Sequence, residues 1–277
     1  MTLRTDLHIH STASDGDYPP QKIVKLALER ELSVIALTDH DTVDGVIAAS
    51  EAAHGTALSV LNGIEFGCED ERGQIDILGY CLDVNNTDLR QRLDEMRQFR
   101  ETRAEKMVHK LREQGILITF ERVKALTGDA PITRPRIGQA MVEAGYVVDL
   151  NEAFGKYIGD DCPAYVAHYQ LLPVDAVTLI HNAGGVAIVA HPGRYKAPFA
   201  IIEEFVGYGI DGIEVFYPTH SDAFRQRLLQ TAARFNLLTT GGSDFHRPEP
   251  NGYINLGDET LSQGVLDALR QKAAMYP

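Results

Sequence analysis

The sequence predicts an α/β protein in which parallel strands, wrapped by helices, form one main domain that a helical insertion interrupts. Three observations carry this reading. Short apolar strand patterns alternate with helical ones up to about residue 88, only helical periodicity is found between 89 and 164, and the alternation resumes from 165 to 277. Residues 1–88 and 165–277 are therefore expected to form one discontinuous barrel, with 89–164 as a helical cap over the C-terminal rim of its strands. A chain of 277 residues can bury one sizeable core of this kind.

Each element follows from its residues. Leu3, Leu7 and Ile9 alternate with Asp6, His8 and His10, so a strand here puts the acid and both imidazoles on one face. The turn Ser14-Asp15-Gly16 then returns a carboxylate over the strand end. Pro19-Pro20 opens a helix in which Ile23, Val24, Ala27 and Leu28 recur at helical spacing. Residues 33–38 read as a buried strand entering Asp39-His40-Asp41, 44–54 as a helix, 57–66 as a strand with Glu65 near its end, and 75–82 as a strand carrying Asp76. In the interruption, Leu89, Leu93, Met96, Met107 and Leu111 mark one long amphipathic helix, and 121–126 and 137–144 two weaker ones. A helix over 174–182 follows, then a strand over 186–190 ending at His191-Pro192-Gly193-Arg194, and a strand over 212–216 containing Glu214. A helix over 221–234, a strand over 237–240 running into Ser243-Asp244-Phe245-His246, and a helix over 263–273 close the chain.

His8, His10, His40, Glu65, His191, Asp244 and His246 all fall at or just beyond the C-terminal ends of these strands. In a closed parallel barrel those ends share one rim, where such folds put their chemistry, so residues scattered over nearly the whole sequence would meet at one site. Imidazole nitrogens and carboxylate oxygens without thiolates suit Mn2+, Zn2+, Fe2+ or Mg2+. The donors outnumber what one ion takes, which implies two to three ions per chain sharing a carboxylate. Ions roughly 3.5–4 Å apart can generate hydroxide at neutral pH and neutralise phosphoryl oxygens, so hydrolysis is the expected reaction.

The net charge of −13 argues against a protein that coats nucleic acid. Its distribution is uneven: residues 90–136 hold 12 Lys and Arg against 7 Asp and Glu, and the remainder 14 against 32. Bound divalent ions would offset part of that acidity, and the basic segment suits a phosphate-bearing ligand. No apolar run is long enough to span a bilayer and no signal-peptide pattern is found, so a cytoplasmic location is expected. Cys68, Cys81 and Cys162 are far apart and form no CxxC pair, which argues against a disulfide framework and against a zinc ribbon.

Five ordered motifs, His8-Ile9-His10, Thr38-Asp39-His40-Asp41, Gly63-Ile64-Glu65, Ala190-His191-Pro192 and Ser243-Asp244-Phe245-His246, resemble those of the PHP (polymerase and histidinol phosphatase) family, relatives of the amidohydrolases. The resemblance covers the chain outside the insertion. It implies a distorted (β/α)7 TIM-like barrel with metal ions at the strand C-termini. It also implies ligand sets: His8, His10, Glu65 and Asp244 for one ion, Asp15, His40 and His246 for another, and Glu65 with His191 for a third. Asp76 stands where many members carry a histidine, and a hard oxygen there favours Mn2+ or Mg2+ over Zn2+ and weakens the third position.

Thr133-Arg134-Pro135 and His191-Pro192-Gly193-Arg194-Tyr195 resemble the branch that removes the 3'-phosphate from nucleoside 3',5'-bisphosphates, whose members are also described as 5'-3' exoribonucleases on short RNA. The resemblance thus implies a metal-dependent phosphatase, with Mn2+ expected, acting on a small nucleotide or on short RNA and needing neither membrane nor obligate protein partner. Arg134 and Arg194 are expected to clamp phosphate oxygens bidentately. His220 is the candidate for a phosphate contact or for proton donation to the leaving ribose oxygen, although Pro218-Thr219-His220-Ser221 also reads as an ordinary helix start.

Other polar residues have plainer readings. Asp39, on the opposite strand face from His40, is expected to orient an imidazole. Glu214 is either a support of the site or a buried structural acid. His54, His109, His168 and His181 lie away from strand ends and read as ordinary histidines. Arg103, Lys106 and Lys110 fall on one helical stripe, usually a solvated face, with guidance of phosphates as the alternative. Among competing functions, a C–N bond hydrolase commonly needs a modified lysine, and no lysine ends a predicted strand. Histidinol phosphatase would take a cationic substrate that has no use for a basic insertion. A non-catalytic metal-binding module would be expected to have lost ligands, whereas this chain keeps nearly all of them.

Overall fold

The computed structural model describes residues 4–128, 130–167, 169–248, 255–259, 261 and 263–277. Leu3 and His168 lie outside the described residues. The chain divides into two compact units, Met1–Gln91 with Gln170–Pro277 and Arg92–Tyr169.

The first unit is built on a seven-stranded sheet whose strands lie side by side in chain order. Strand β1 (Thr5–Ile9) is buried at every position. The helix α1 (Pro20–Glu29) starts on a proline and buries Ile23, Val24 and Ala27, the face that the spacing predicts. Strand β2 (Val34–Leu37) is apolar and buried throughout, as a strand covered on both faces must be. Then come helix α2 (Asp44–Ala53), β3 (Ser59–Asp70) and β4 (Gly73–Tyr80). Helices α3 (Thr87–Glu113), α4 (Phe120–Thr127), α5 (Arg134–Glu143) and α6 (Leu150–Ala153) follow in the chain, and the alternation then resumes: α7 (Pro173–Asn182), β5 (Val186–Val189), α8 (Pro198–Val206), β6 (Gly212–Phe216), α9 (Asp222–Phe235), β7 (Leu238–Gly241) and α10 (Gln263–Ala273). The helix α8 has no counterpart in the sequence reading.

The sheet curls until its two edges meet. Ile9 of β1 bridges to Phe245 just beyond β7, and the His10 N–H donates to the Phe245 carbonyl at 2.9 Å. Tyr80 reaches from β4 to β1, its hydroxyl donating to the Leu7 carbonyl at 2.8 Å. Leu7, Ala36, Leu78 and Ile188 pack with Leu266 and Leu269 of α10 in one apolar cluster, while Ile9, Ile35 and Leu37 join α1 and α2 in another.

The expectation of an all-parallel sheet is corrected at β4. Pairs β1/β2, β2/β3, β5/β6 and β6/β7 are parallel, but β4 runs antiparallel to both β3 and β5. Only Glu71 and Arg72 separate β3 from β4, with Gly73 at φ 112° accommodating the turn. A parallel crossover needs a dozen or more residues, so this connection can only be a hairpin. The reversal matters for chemistry: it brings Asp76, near the start of its strand, opposite Gly67, two residues past Glu65 in β3.

The second unit is helical. It takes in most of α3 (Thr87–Glu113), then α4 (Phe120–Thr127), α5 (Arg134–Glu143) and α6 (Leu150–Ala153). Met107, Leu111, Val123, Ile137, Met141 and Ile158 form its core. Thr119 caps α4 by accepting from the Arg122 N–H, and Asp149 caps α6 by accepting from the Glu152 N–H. Among the described residues, no helix is long and apolar enough to cross a membrane.

Candidate metal centre

Strand ends of the first unit gather a cage of imidazoles around one carboxylate. Glu65 is buried, with Oε2 lying 3.4 Å from His8 Nε2, 3.2 Å from His10 Nε2 and 3.3 Å from His40 Nδ1. Its Oε1 is 3.1 Å from His191 Nε2. Asp244 Oδ1 faces the same nitrogens of His8 and His10, at 3.4 and 3.2 Å. Asp15 closes the outer side, 3.5 Å from His10 Nδ1, 3.3 Å from His246 Nε2 and 4.0 Å from His40 Nε2. Asp76 lies 3.6 Å from His191 Nε2. The expected metal-site residues His8, His10, Asp15, His40, Glu65, Asp76, His191, Asp244 and His246 are thus neighbours.

Three overlapping sets have donor atoms close enough to hold an ion: His10, Asp15, His40 and His246; His8, Glu65 and His191; and His8, His10 and Asp244. The chemistry of the buried atoms fits this use. His8 Nε2 and both ring nitrogens of His10 are buried without a hydrogen-bond partner, a costly arrangement unless a cation takes the lone pairs. The His246 Nδ1–H donates to the Asp244 carbonyl at 2.9 Å, which turns Nε2 towards Asp15. The histidine tautomers are set by such contacts.

Buried acids behind the cage fix its loops. Asp6 accepts from the Ser243 N–H and hydroxyl at 2.9 and 2.6 Å and from the Gly257 N–H at 2.7 Å. Burial lifts its pKa to about 6 despite these donors. Gly242 permits the approach of that loop to β1, because a Cβ there would meet the His8 nitrogen at 2.3 Å. Asp39 accepts from the Ser11 N–H and hydroxyl at 2.7 and 2.8 Å and from the Ser14 hydroxyl at 2.7 Å. It therefore holds the loop that presents Asp15, not an imidazole as the sequence led us to expect. Glu214 receives His8 Nδ1 at 2.9 Å and the His191 N–H at 2.7 Å.

Asp15, His40, Glu65, Gln74 and Asp76 line a cavity of about 380 Å3, together with Asp244, His246 and two arginines, Arg194 and Arg247. Arg194 donates to Asp244 Oδ2 at 2.9 Å and lies over the Tyr217 ring, yet its side chain is 55% exposed and can turn to a ligand. Arg247 is a site residue that the sequence reading missed; it directly follows His246, and that adjacency was the available signal. Tyr195 and Tyr217 were missed as well. The Tyr195 hydroxyl receives the Asp76 N–H at 2.9 Å, and the Tyr217 hydroxyl donates to Asp244 Oδ2 at 2.9 Å.

Two expected participants differ. His220 Nδ1 donates to the Val215 carbonyl at 2.9 Å, and Nε2 accepts from the Gly193 N–H at 3.1 Å. Both nitrogens are committed to main chain, and burial lowers the pKa, so the ring is not arranged to touch phosphate or give up a proton. It instead holds the turn before Arg194, with Gly193 essential because a Cβ would lie 2.7 Å from the His220 ring. Arg134 belongs to the helical unit, where it pairs with Asp160 at 2.7 Å and lies over Phe154 and Tyr165. In that unit Arg103 and Lys110 donate to the carbonyls of Val166 and Tyr165, both at 2.7 Å, which accounts for two residues of the basic stripe structurally.

Electrostatics of the cage are strongly coupled. Burial opposes charge on His10, but Asp244 and Glu65 lift its pKa to about 10. Burial likewise opposes charge on His8 and His191, which Glu214, Glu65 and neighbouring carboxylates nonetheless raise. Glu65, Asp15 and Asp244 are held low by the imidazoles against the effect of burial. Asp76 is raised by burial and by the Glu65 charge.

A family model described as the PHP domain matches residues 6–153. A 5'-3' exoribonuclease of Haemophilus influenzae is 36% identical over 262 residues, covering 93% of this chain and 94% of the relative. A 3',5'-nucleoside bisphosphate phosphatase of Chromobacterium violaceum is 34% identical over 252 residues, 89% of this chain and 88% of the relative. A solved structure from Bifidobacterium adolescentis, assigned as a metal-dependent phosphoesterase, superposes with a TM-score of 0.81 at 29% identity, covering 98% of this chain and 96% of the other.

Cations must displace the proton that His10, its pKa lifted to about 10, carries at neutral pH. Mn2+ affinity is accordingly expected to rise as pH climbs from 6 towards the His10 value of about 10, with proton release seen by calorimetry in buffers of different ionisation enthalpy. A pH-independent affinity without proton release would contradict this electrostatic picture.

Proposed function

The chain belongs to the PHP family of metal-dependent phosphoesterases, and from that premise we propose that it removes the 3'-phosphate of nucleoside 3',5'-bisphosphates in the cytoplasm, yielding the 5'-nucleotide and phosphate. The observation that carries the reading is the pairing of an imidazole and carboxylate cage with two arginines in one cavity, a lining suited to a phosphorylated ligand. Relatives named for bisphosphate phosphatase and exoribonuclease activity support this choice of substrate, and short 5'-phosphorylated RNA is the second substrate we consider.

In this proposal His8, His10, Glu65 and Asp244 hold one ion, and Asp15, His40 and His246 a second. Glu65, His191 and Asp76 form the third position, where the oxygen of Asp76 favours Mn2+ or Mg2+. Divalent ions held by these residues would supply a lowered pKa for water and charge neutralisation for the transferring phosphoryl group. The protein's own part is positional. Arg194 exchanges Asp244 for phosphate oxygens and orients the ester. Tyr217 continues to hold Asp244 when the arginine leaves it. Among the described residues the cavity wall offers arginines and no lysine, which disfavours both a cationic amino-alcohol substrate and a lysine-dependent amide hydrolase.

The substrate class is tested by loading the protein with Mn2+ and following phosphate and mononucleotide release from 3',5'-bisphosphoadenosine, 5'-AMP, histidinol phosphate and a 5'-phosphorylated oligoribonucleotide. The bisphosphate is expected to react fastest; preference for histidinol phosphate would overturn the substrate assignment. Replacing Arg194 by Ala is expected to lower kcat/KM about 10- to 100-fold, the worth of a charge-assisted contact, while Mn2+ content stays at the wild-type level. Unchanged kinetics would remove Arg194 from phosphate binding.

A further inference from the structure

Glu214 lies on β6, fully buried, and is not among the residues that line the cavity. We propose that it is a positioning residue that couples two of the ion positions, fixing the His8 ring with one oxygen and the His191 main chain with the other. This rests on the reading that the cage holds divalent ions.

The two contacts are of one kind. Glu214 Oε1 is 2.9 Å from His8 Nδ1, and Oε2 accepts the His191 N–H at 2.7 Å. With Nδ1 donating to Glu214, His8 turns Nε2 to the space beside Glu65 and Asp244, both 3.4 Å away, where that nitrogen has no hydrogen-bond partner and is free for a cation. His191 adopts φ 22° and ψ 61°, a backbone state that a non-glycine residue keeps only when its surroundings impose it. The Glu214 contact is one such restraint, and the ring it steadies points Nε2 at Glu65 Oε1. His8 is shared by the His8, His10, Asp244 and the His8, Glu65, His191 sets, so one carboxylate governs ligands of both. The remaining set, His10, Asp15, His40 and His246, contains neither residue that Glu214 grips.

Both of these partners are donors, so the position requires two acceptors. A carboxylate supplies them; the amide of glutamine, with the same shape, supplies one and sets an N–H against the other donor. If the amide oxygen keeps the His191 N–H, His8 must turn its Nδ1 into an acceptor and carry the proton on Nε2, which closes the lone pair that faces the cage.

The test is Mn2+ titration of wild type, Glu214→Gln and Glu214→Asp, with free Mn2+ counted by electron paramagnetic resonance, beside thermal unfolding of each protein in chelator. Glu214→Gln is expected to bind the ions at His8 and at His191 roughly 10- to 100-fold more weakly while keeping the ion at Asp15, His40 and His246, with a metal-free Tm close to wild type. Glu214→Asp, which retains two acceptors, is expected to recover part of the loss. Wild-type affinity throughout in Glu214→Gln overturns the proposal. So does a uniform loss at every position with a lowered metal-free Tm, or a glutamine variant that does not fold, since either makes Glu214 a structural acid only. Absence of Mn2+ binding by the wild type would instead defeat the metal-centre reading beneath it.

Discussion

A single buried carboxylate constrains this molecule. Glu65 is 1% exposed, yet it stands within 3.4 Å of nitrogens from four histidines. Taking a charge out of water costs several kcal/mol unless opposite charges and hydrogen bonds surround it, so the strands must deliver those imidazoles accurately. They do so from three directions: His8 from β1 and His10 from just beyond it, His40 from beyond β2, and His191 from beyond β5. The main chain stitches the neighbours as well, with the Asp41 N–H donating to the Glu65 carbonyl at 2.9 Å and a bridge joining His40 to Glu65.

Behind this cage the protein spends further buried acids on geometry. Asp6 secures the loops at 243 and 257, Asp39 the loop at 11–14, and Glu214 the ring of His8 and the chain of His191. Asp41, His191 and Asp244 all have positive φ, of 51°, 22° and 55°. Each such residue costs on the order of 1–3 kcal/mol, and strain of this kind collects where a site demands it. The unpartnered nitrogens of His8 and His10 complete a pattern in which the ion-free state is the less satisfied one. Metal dependence in this family is then a property of the fold as much as of the reaction.

Much of this was legible in the sequence because the signals were local. The alternation of Leu7 and Ile9 with Asp6, His8 and His10 sets strand and site face together, and the ends of 33–38, 57–66 and 186–190 mark the rim. The nine expected metal-site residues do come together. What was not legible depended on direction and on partners. Asp76 joins the rim only because β4 is reversed, and the eight residues 67–74 were too short for the crossover that a parallel strand requires. The two hydrogen bonds of His220 go to main-chain atoms at Val215 and Gly193, and no side-chain pattern announces those. Asp39 could be seen as a supporting acid, but whether it served a ring or a loop turned on where Ser11 and Ser14 folded back.

The central claim, that side chains from distant parts of the chain form one cage for divalent cations, is tested most directly by anomalous diffraction from crystals grown with Mn2+. Peaks are expected between His8, His10, Glu65 and Asp244 and between Asp15, His40 and His246, each with nitrogen and oxygen ligands from those residues. Manganese bound elsewhere on the molecule, with the cage side chains turned apart, would contradict it.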